Sequence, residues 1–163
     1  MGARTLIRFV RGAGGATVVD KVVPMIYLHW GGPPQIMAET FDEFFARIER
    51  DAGKDTRYND PEYLAARFVV FASVECGSAE DPGTLGFTGV GVTATTVVKA
   101  IEGGSFTYAV DCSDNGPRLR PKILVDEVLF TDTHEIAHHS VCTIEDFLDA
   151  QRKNEEEDNA KLV

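Results

Sequence analysis

The chain has 163 residues, 44% of them apolar and 26% charged, with 26 acidic against 16 basic side chains and a net charge of −10. That length suits one domain with one core, and the acidic balance leaves no surplus of Lys and Arg to displace counterions from a nucleic acid, so no nucleic-acid partner is expected. No apolar run reaches the roughly 18 residues needed to span a bilayer, so no membrane role is expected either.

The opening Met1-Gly2-Ala3-Arg4-Thr5-Leu6-Ile7 lacks the apolar run and small-residue cleavage site of a signal peptide, which predicts a cytoplasmic protein. Residues 4–11 are β-branched and apolar and predict a strand, and Gly12 to Gly15 a turn. Residues 16–21 and 24–30 predict a second strand, or two short ones, interrupted near Pro24. Gly31-Gly32-Pro33-Pro34 then ends the strand.

A helix is predicted over about 35–51, because Met37, Phe41, Phe44, Phe45 and Ile48 recur at helical spacing, with Gly53 as its C-cap. A second helix is predicted over 61–75. Asp60 is its N-cap, Pro61 takes the first helical position, and Leu64, Phe68, Phe71 and Ala72 form its buried stripe.

Residues 77–92 are glycine-rich and read as a loop leading into a strand. Val92 to Val98, Phe106 to Asp111 and 121–130 are strand-like. A last helix is predicted over about 144–157, capped by Thr143 with Asp146 at its third position, and with Ile144, Phe147 and Leu148 on its apolar edge.

Together these elements predict a single α+β domain over 1–163: an antiparallel sheet of about five strands with two or three helices on one face, and an acidic tail from about Asn154. Cys76, Cys112 and Cys142 are far apart and form no Cys-x-x-Cys pair. They read as reduced thiols that fill the core.

One segment spells a catalytic signature. In His134-Glu135-Ile136-Ala137-His138, a helix would bring His134 and His138 onto one face to share a zinc ion, with Glu135 as base on the bound water. His139 is an alternative ligand, and Glu145, Asp149 or a tail acid would have to complete the site, since no Gly-x-x-His follows. The competing reading is a strand running into the helix capped by Thr143. A strand would hold the two imidazoles roughly 13 Å apart, too far for one ion.

Other signals are weaker. Asp111-Cys112-Ser113-Asp114-Asn115-Gly116 resembles the start of a calcium loop, but Lys122 stands where a bidentate Glu is needed, which favours a polar turn. The glycines at 12, 14 and 15, and those at 86, 89 and 91, lack a phosphate-loop context and read as hairpin or loop glycines. Tyr27-Leu28-His29-Trp30 ends a strand, with Tyr27 and His29 on one face and Leu28 and Trp30 on the other. The first reading of Trp30 is a place in the core; the alternative is that Tyr27, His29 and Trp30, beside the irregular Gly-Pro segment, are recognition residues.

Met1-Gly2-Ala3-Arg4-Thr5-Leu6, followed by Ile26-Tyr27-Leu28-His29-Trp30-Gly31-Gly32-Pro33, resembles a family of small proteins of bacteriophages and their bacterial hosts. Those open with Met-Gly-Thr-Arg-Ser-Leu and carry an Asp-Gly-Tyr-Pro-like segment where this chain has Gly31-Gly32-Pro33-Pro34, so a role tied to that Asp does not carry over. Tyr63 to Val69, Phe106 to Asp111 and Thr143 to Leu148 extend the resemblance over most of the chain. It implies an accessory viral or prophage protein without a catalytic residue, acting in the host cytoplasm. The expectation is therefore a non-enzymatic protein that binds a host protein and needs no cofactor, the alternative being a zinc-dependent hydrolase on His134, Glu135 and His138.

Overall fold

A computed structural model describes residues 3–11, 22–75, 90–96, 106–113, 118–130 and 136–161. The elements are β1 (Ala3–Val10), β2 (Val22–Gly31), α1 (Pro34–Ala52), α2 (Pro61–Glu75), β3 (Val90–Thr96), β4 (Phe106–Asp111), β5 (Lys122–Phe130), β6 (Ile136–Thr143) and α3 (Ile144–Lys161). The fold is α+β: among the described residues the strands form one sheet in the order β3-β2-β1-β4-β5-β6, with three helices against it.

Two expectations need correction. Among the described residues the sheet has six strands rather than about five, and it is mixed, because β1 and β4 pair in parallel while every other neighbouring pair is antiparallel. The parallel pair arises because β3 takes the outer side of β2. The later strand β4 then joins the far side of β1, from Thr5↔Phe106 to Val10↔Asp111.

Pro24 does not interrupt β2. It pairs with Ala94 on β3, while the ladder to β1 runs only from Ala3↔Gly31 to Ile7↔Ile26, so the missing N–H falls beyond that ladder. Residues 16–21 lie outside the described residues. Gly91 is not a loop glycine either, since it sits inside β3 opposite Tyr27.

The helix ends follow local chemistry. The Gly53 N–H donates to the Glu49 carbonyl at 3.1 Å, and Gly53 adopts φ +57°, a value that costs glycine little. Asp60 Oδ1 accepts the Tyr63 N–H at 2.9 Å and Pro61 opens α2. Thr143 Oγ1 accepts the Asp146 N–H at 3.1 Å and donates to Asp146 Oδ2 at 2.7 Å, which starts α3 as the sequence predicts.

The break between β2 and α1 depends on two small residues. A Cβ on Gly31 would lie 1.9 Å from Thr5 Oγ1, and one on Gly32 would lie 2.6 Å from Ile36 Cβ. The Tyr108 hydroxyl donates to the Gly32 carbonyl at 3.2 Å and ties this corner to the sheet centre.

The core lies between the helices and one sheet face. Ile7, Ile26, Leu28, Tyr108, Val110, Ile123 and Val125 meet Phe41, Phe44 and Ile48 of α1, Leu64 and Phe68 of α2, and Ile144 of α3. Phe68 is its hub, with ring centroids of Phe9, Phe41, Phe44 and Phe71 at 5.7, 5.6, 5.1 and 5.8 Å. Alternation sends Leu6, Arg8, Met25, Thr107 and Ala109 to the opposite face, where they too are buried.

Candidate functional site

Of the residues expected to recognise a partner, Tyr27 and His29 share one sheet face. Leu28 points into the core, and Tyr27 and His29 lie on the opposite face. Tyr27 is half-buried and His29 is exposed. The Tyr27 hydroxyl and His29 Nδ1 are 3.0 Å apart, with the two rings at 6.2 Å and 63°. The backbone of Trp30 completes β2, and its side chain lies outside the described residues.

Tyr27 lies between Leu6 of β1 and Gly91 of the outer strand β3. A Cβ on Gly91 would lie 3.8 Å from Tyr27 Cδ1, an ordinary contact, so the space itself does not demand glycine. Its consequence is that no β3 side chain covers the Tyr27 ring at this position.

On the helix face, α2 and strands β1 to β3 enclose an apolar cavity of about 350 Å³. Phe9, Ile26, Ala65, Ala66, Val69 and Val92 line it, with Glu62 as the ionisable lining residue among those described. Val92, which lines it from β3, is 69% exposed.

On the other flank of α2, Phe44, Ile48, Val70, Phe71 and Val74 line a groove shared with α1. Its polar side carries the Arg67–Asp51 ion pair at 3.2 Å, and Arg47 lies 5.1 Å from the centre of the Phe71 ring. Val70 and Val74, one turn apart on α2, are 65% and 54% exposed. Helical periodicity in the sequence marks only the core stripe of α2, not these flanks. The available signal was that Pro61–Glu75 is apolar nearly all round, interrupted only by Glu62, Arg67 and the terminal Glu75 among its charges.

The segment with the zinc signature is extended where it is described. Ile136 pairs with Phe130 and His138 with Leu129, and the strand continues to Thr143 and its cap. Residues 136–138 therefore do not form the helical turn on which a His-Glu-x-x-His site is built. His134 and Glu135 lie outside the described residues. Among the described residues, no three His, Cys, Asp or Glu side chains gather as a metal-ligand set.

The Asp111 side chain accepts the Ser113 N–H at 3.0 Å, the turn expected there, while 114–117 lie outside the described residues. Cys112 is buried. Burial, followed by the nearby Asp111 charge, pushes its thiol up to about 12, so it remains protonated and unreactive.

The strongest charged cluster stands apart from these surfaces. Arg120 grips Glu49 with Nε to Oε1 at 2.7 Å and Nη2 to Oε2 at 2.8 Å, and reaches Asp42 Oδ1 at 3.0 Å. The Tyr58 hydroxyl donates to Glu49 Oε1 at 2.9 Å, and the Arg120 guanidinium lies 5.8 Å from the centre of the Phe45 ring. The hydrogen bonds from Arg120 hold the Glu49 carboxyl down at about 2, while burial pushes the Tyr58 hydroxyl up. This cluster pins the segment before β5 to α1.

Among the described residues, no helix is long and apolar enough to cross a membrane. No family model, curated protein or solved structure matches the chain.

Proposed function

We propose that this chain is a non-catalytic protein-binding domain, an accessory protein of a phage or prophage that acts on a host protein. The observation that carries the binding reading is the exposed apolar ridge of α2. Val70 and Val74 stand 65% and 54% exposed above a groove floored by Phe44, Ile48 and Phe71. Single exposed valines are ordinary on a surface, but two aligned on one helix between an apolar groove and an apolar cavity form a continuous patch of the kind that marks protein interfaces. Arg47, Asp51 and Arg67 give that patch a polar rim. The resemblance to phage and prophage proteins directs the partner search to a bacterial host.

The test is quantitative affinity capture from a bacterial host lysate with the wild-type chain and with a Val70→Asp/Val74→Asp variant. A protein retained by the wild type should be lost with the variant, whose melting temperature should stay close to that of the wild type because both sites are exposed. Equal retention by both chains overturns the reading, as does a turnover activity abolished by a single substitution.

A further inference from the structure

We propose that the groove between α1 and α2 takes one amphipathic helix of the partner protein, with an apolar stripe along the groove and a carboxylate set against Arg67. The proposal rests on the protein-binding reading of the same groove and assigns the partner's chemistry.

Both walls of the groove are helices. Phe44 and Ile48 come from α1, and Val70, Phe71 and Val74 from α2. Helix backbones are hydrogen-bonded internally and offer no edge for another chain to pair with. An extended segment lying here would bury N–H and C=O groups of its own without partners, at about 1–3 kcal/mol for each. A helix brings those groups already satisfied and leaves only side chains to fit.

The ridge has helical spacing. On α2, Arg67, Val70 and Val74 stand at i, i+3 and i+7 and form one stripe. Val70 and Val74 are 65% and 54% exposed, and Ala66, one turn before Val70, is exposed as well. These side chains are short, so a second helix can approach closely and set its own row at i, i+4 and i+7 beside them.

Charge sets the polar edge. Asp51 is shared by two guanidiniums: Arg67 Nη2 lies 3.2 Å from Oδ2, and Arg50 Nε lies 3.4 Å from Oδ1. One carboxylate thus answers two cations, in a chain where acidic side chains otherwise outnumber basic ones by 26 to 16. Screening over about 8 Å at physiological salt lets these near charges outweigh the distant ones. A carboxylate on the partner helix, one turn from its apolar row, meets Arg67 and supplies a second acceptor. The same ridge of a second copy presents Arg67 there instead, with glutamates only near the ends of α2.

The experiment titrates the isotopically labelled full-length chain with three blocked, alanine-rich peptides of about 15 residues, or about four helical turns. The first has leucines at i, i+4, i+7 and i+11 with glutamates beside that row. The second has lysines in place of the glutamates, and the third has the first composition with leucines at every second position. The first should give saturable amide shifts along Phe44–Asp51 and Arg67–Val74, and the other two should bind at least about tenfold more weakly. Arg67→Glu should reverse the preference between glutamate and lysine peptides, and Val70→Asp should weaken the first peptide by at least about tenfold. The contrast among the three peptides on the wild-type chain needs no variant, so it decides even where a variant unfolds. Equal binding of the glutamate and lysine peptides, equal binding of the alternating peptide, shifts confined to other surfaces, or no saturable shift overturns the proposal. A dimer of the free chain that Val70→Asp separates overturns it too. A host protein lost with Val70→Asp/Val74→Asp, in a chain that does not respond to these peptides, overturns the helical partner and leaves the protein-binding reading standing.

Discussion

Arg120 closes a two-pronged ion pair on Glu49, with contacts of 2.7 and 2.8 Å, across 71 residues of sequence. The same carboxylate accepts the hydroxyl of the buried Tyr58. One charge thus fastens the segment before β5 and the segment after α1 to a single helix.

The Glu49 carboxyl titrates at about 2, below its ordinary value of 4.5, chiefly because of the Arg120 hydrogen bonds. A depressed folded value gives stability that is fully present above the unfolded pKa and is lost as pH falls through the folded one. Glu49→Gln, which keeps an acceptor for Tyr58, should therefore cost about 1 kcal/mol near neutral pH, a figure discounted because the carboxylate is 43% exposed. Urea unfolding of both chains should show this gap closing between about pH 5 and pH 2.

Phe68 is fully buried among four aromatic rings. Phe68→Ala should cost about 3–5 kcal/mol, a large fraction of the stability of a domain this size. Val70→Ala, two residues along the same helix but exposed, should change stability by less than about 0.5 kcal/mol. Chemical denaturation of the two variants checks the contrast.

Thr143 both accepts from and donates to Asp146 at the start of α3. Thr143→Ala should cost about 1 kcal/mol, and Thr143→Ser much less, measured by thermal unfolding. A Thr143→Ala variant as stable as the wild type would count against this helix start.

Gly31 faces Thr5 so closely that a Cβ would lie 2.1 Å from the Thr5 Cβ. Gly31→Ala should destabilise by about 2 kcal/mol or more, and adding Thr5→Gly should recover most of the loss. A double-mutant cycle by urea unfolding measures the coupling.

Features fixed by neighbours in the chain were legible in the sequence. Asp60-Pro61, Gly53 and Thr143 mark helix ends because a cap needs only a few adjacent residues. The phenylalanines of α1 and α2 mark buried stripes because helical periodicity is local. Pairing across distance was not legible. Nothing near Thr5 or Phe106 says that their strands lie side by side in parallel. Gly91 reads as a loop because glycine is poor in strands, and only its position opposite Tyr27 gives it a place in β3. That Tyr27 and His29 share one face of β2 was legible from alternation. Val70, Val74 and Val92 were missed, because apolar character in the sequence does not say which apolar faces the fold leaves uncovered.

The proposed function, protein binding through the Val70 and Val74 ridge of α2, is tested most directly by amide hydrogen exchange of the full chain, alone and with a protein retained from a bacterial host lysate. It predicts slowed exchange around Val70 to Val74, with little change in β6. Slowed exchange confined to β6, or no change along α2, would contradict it.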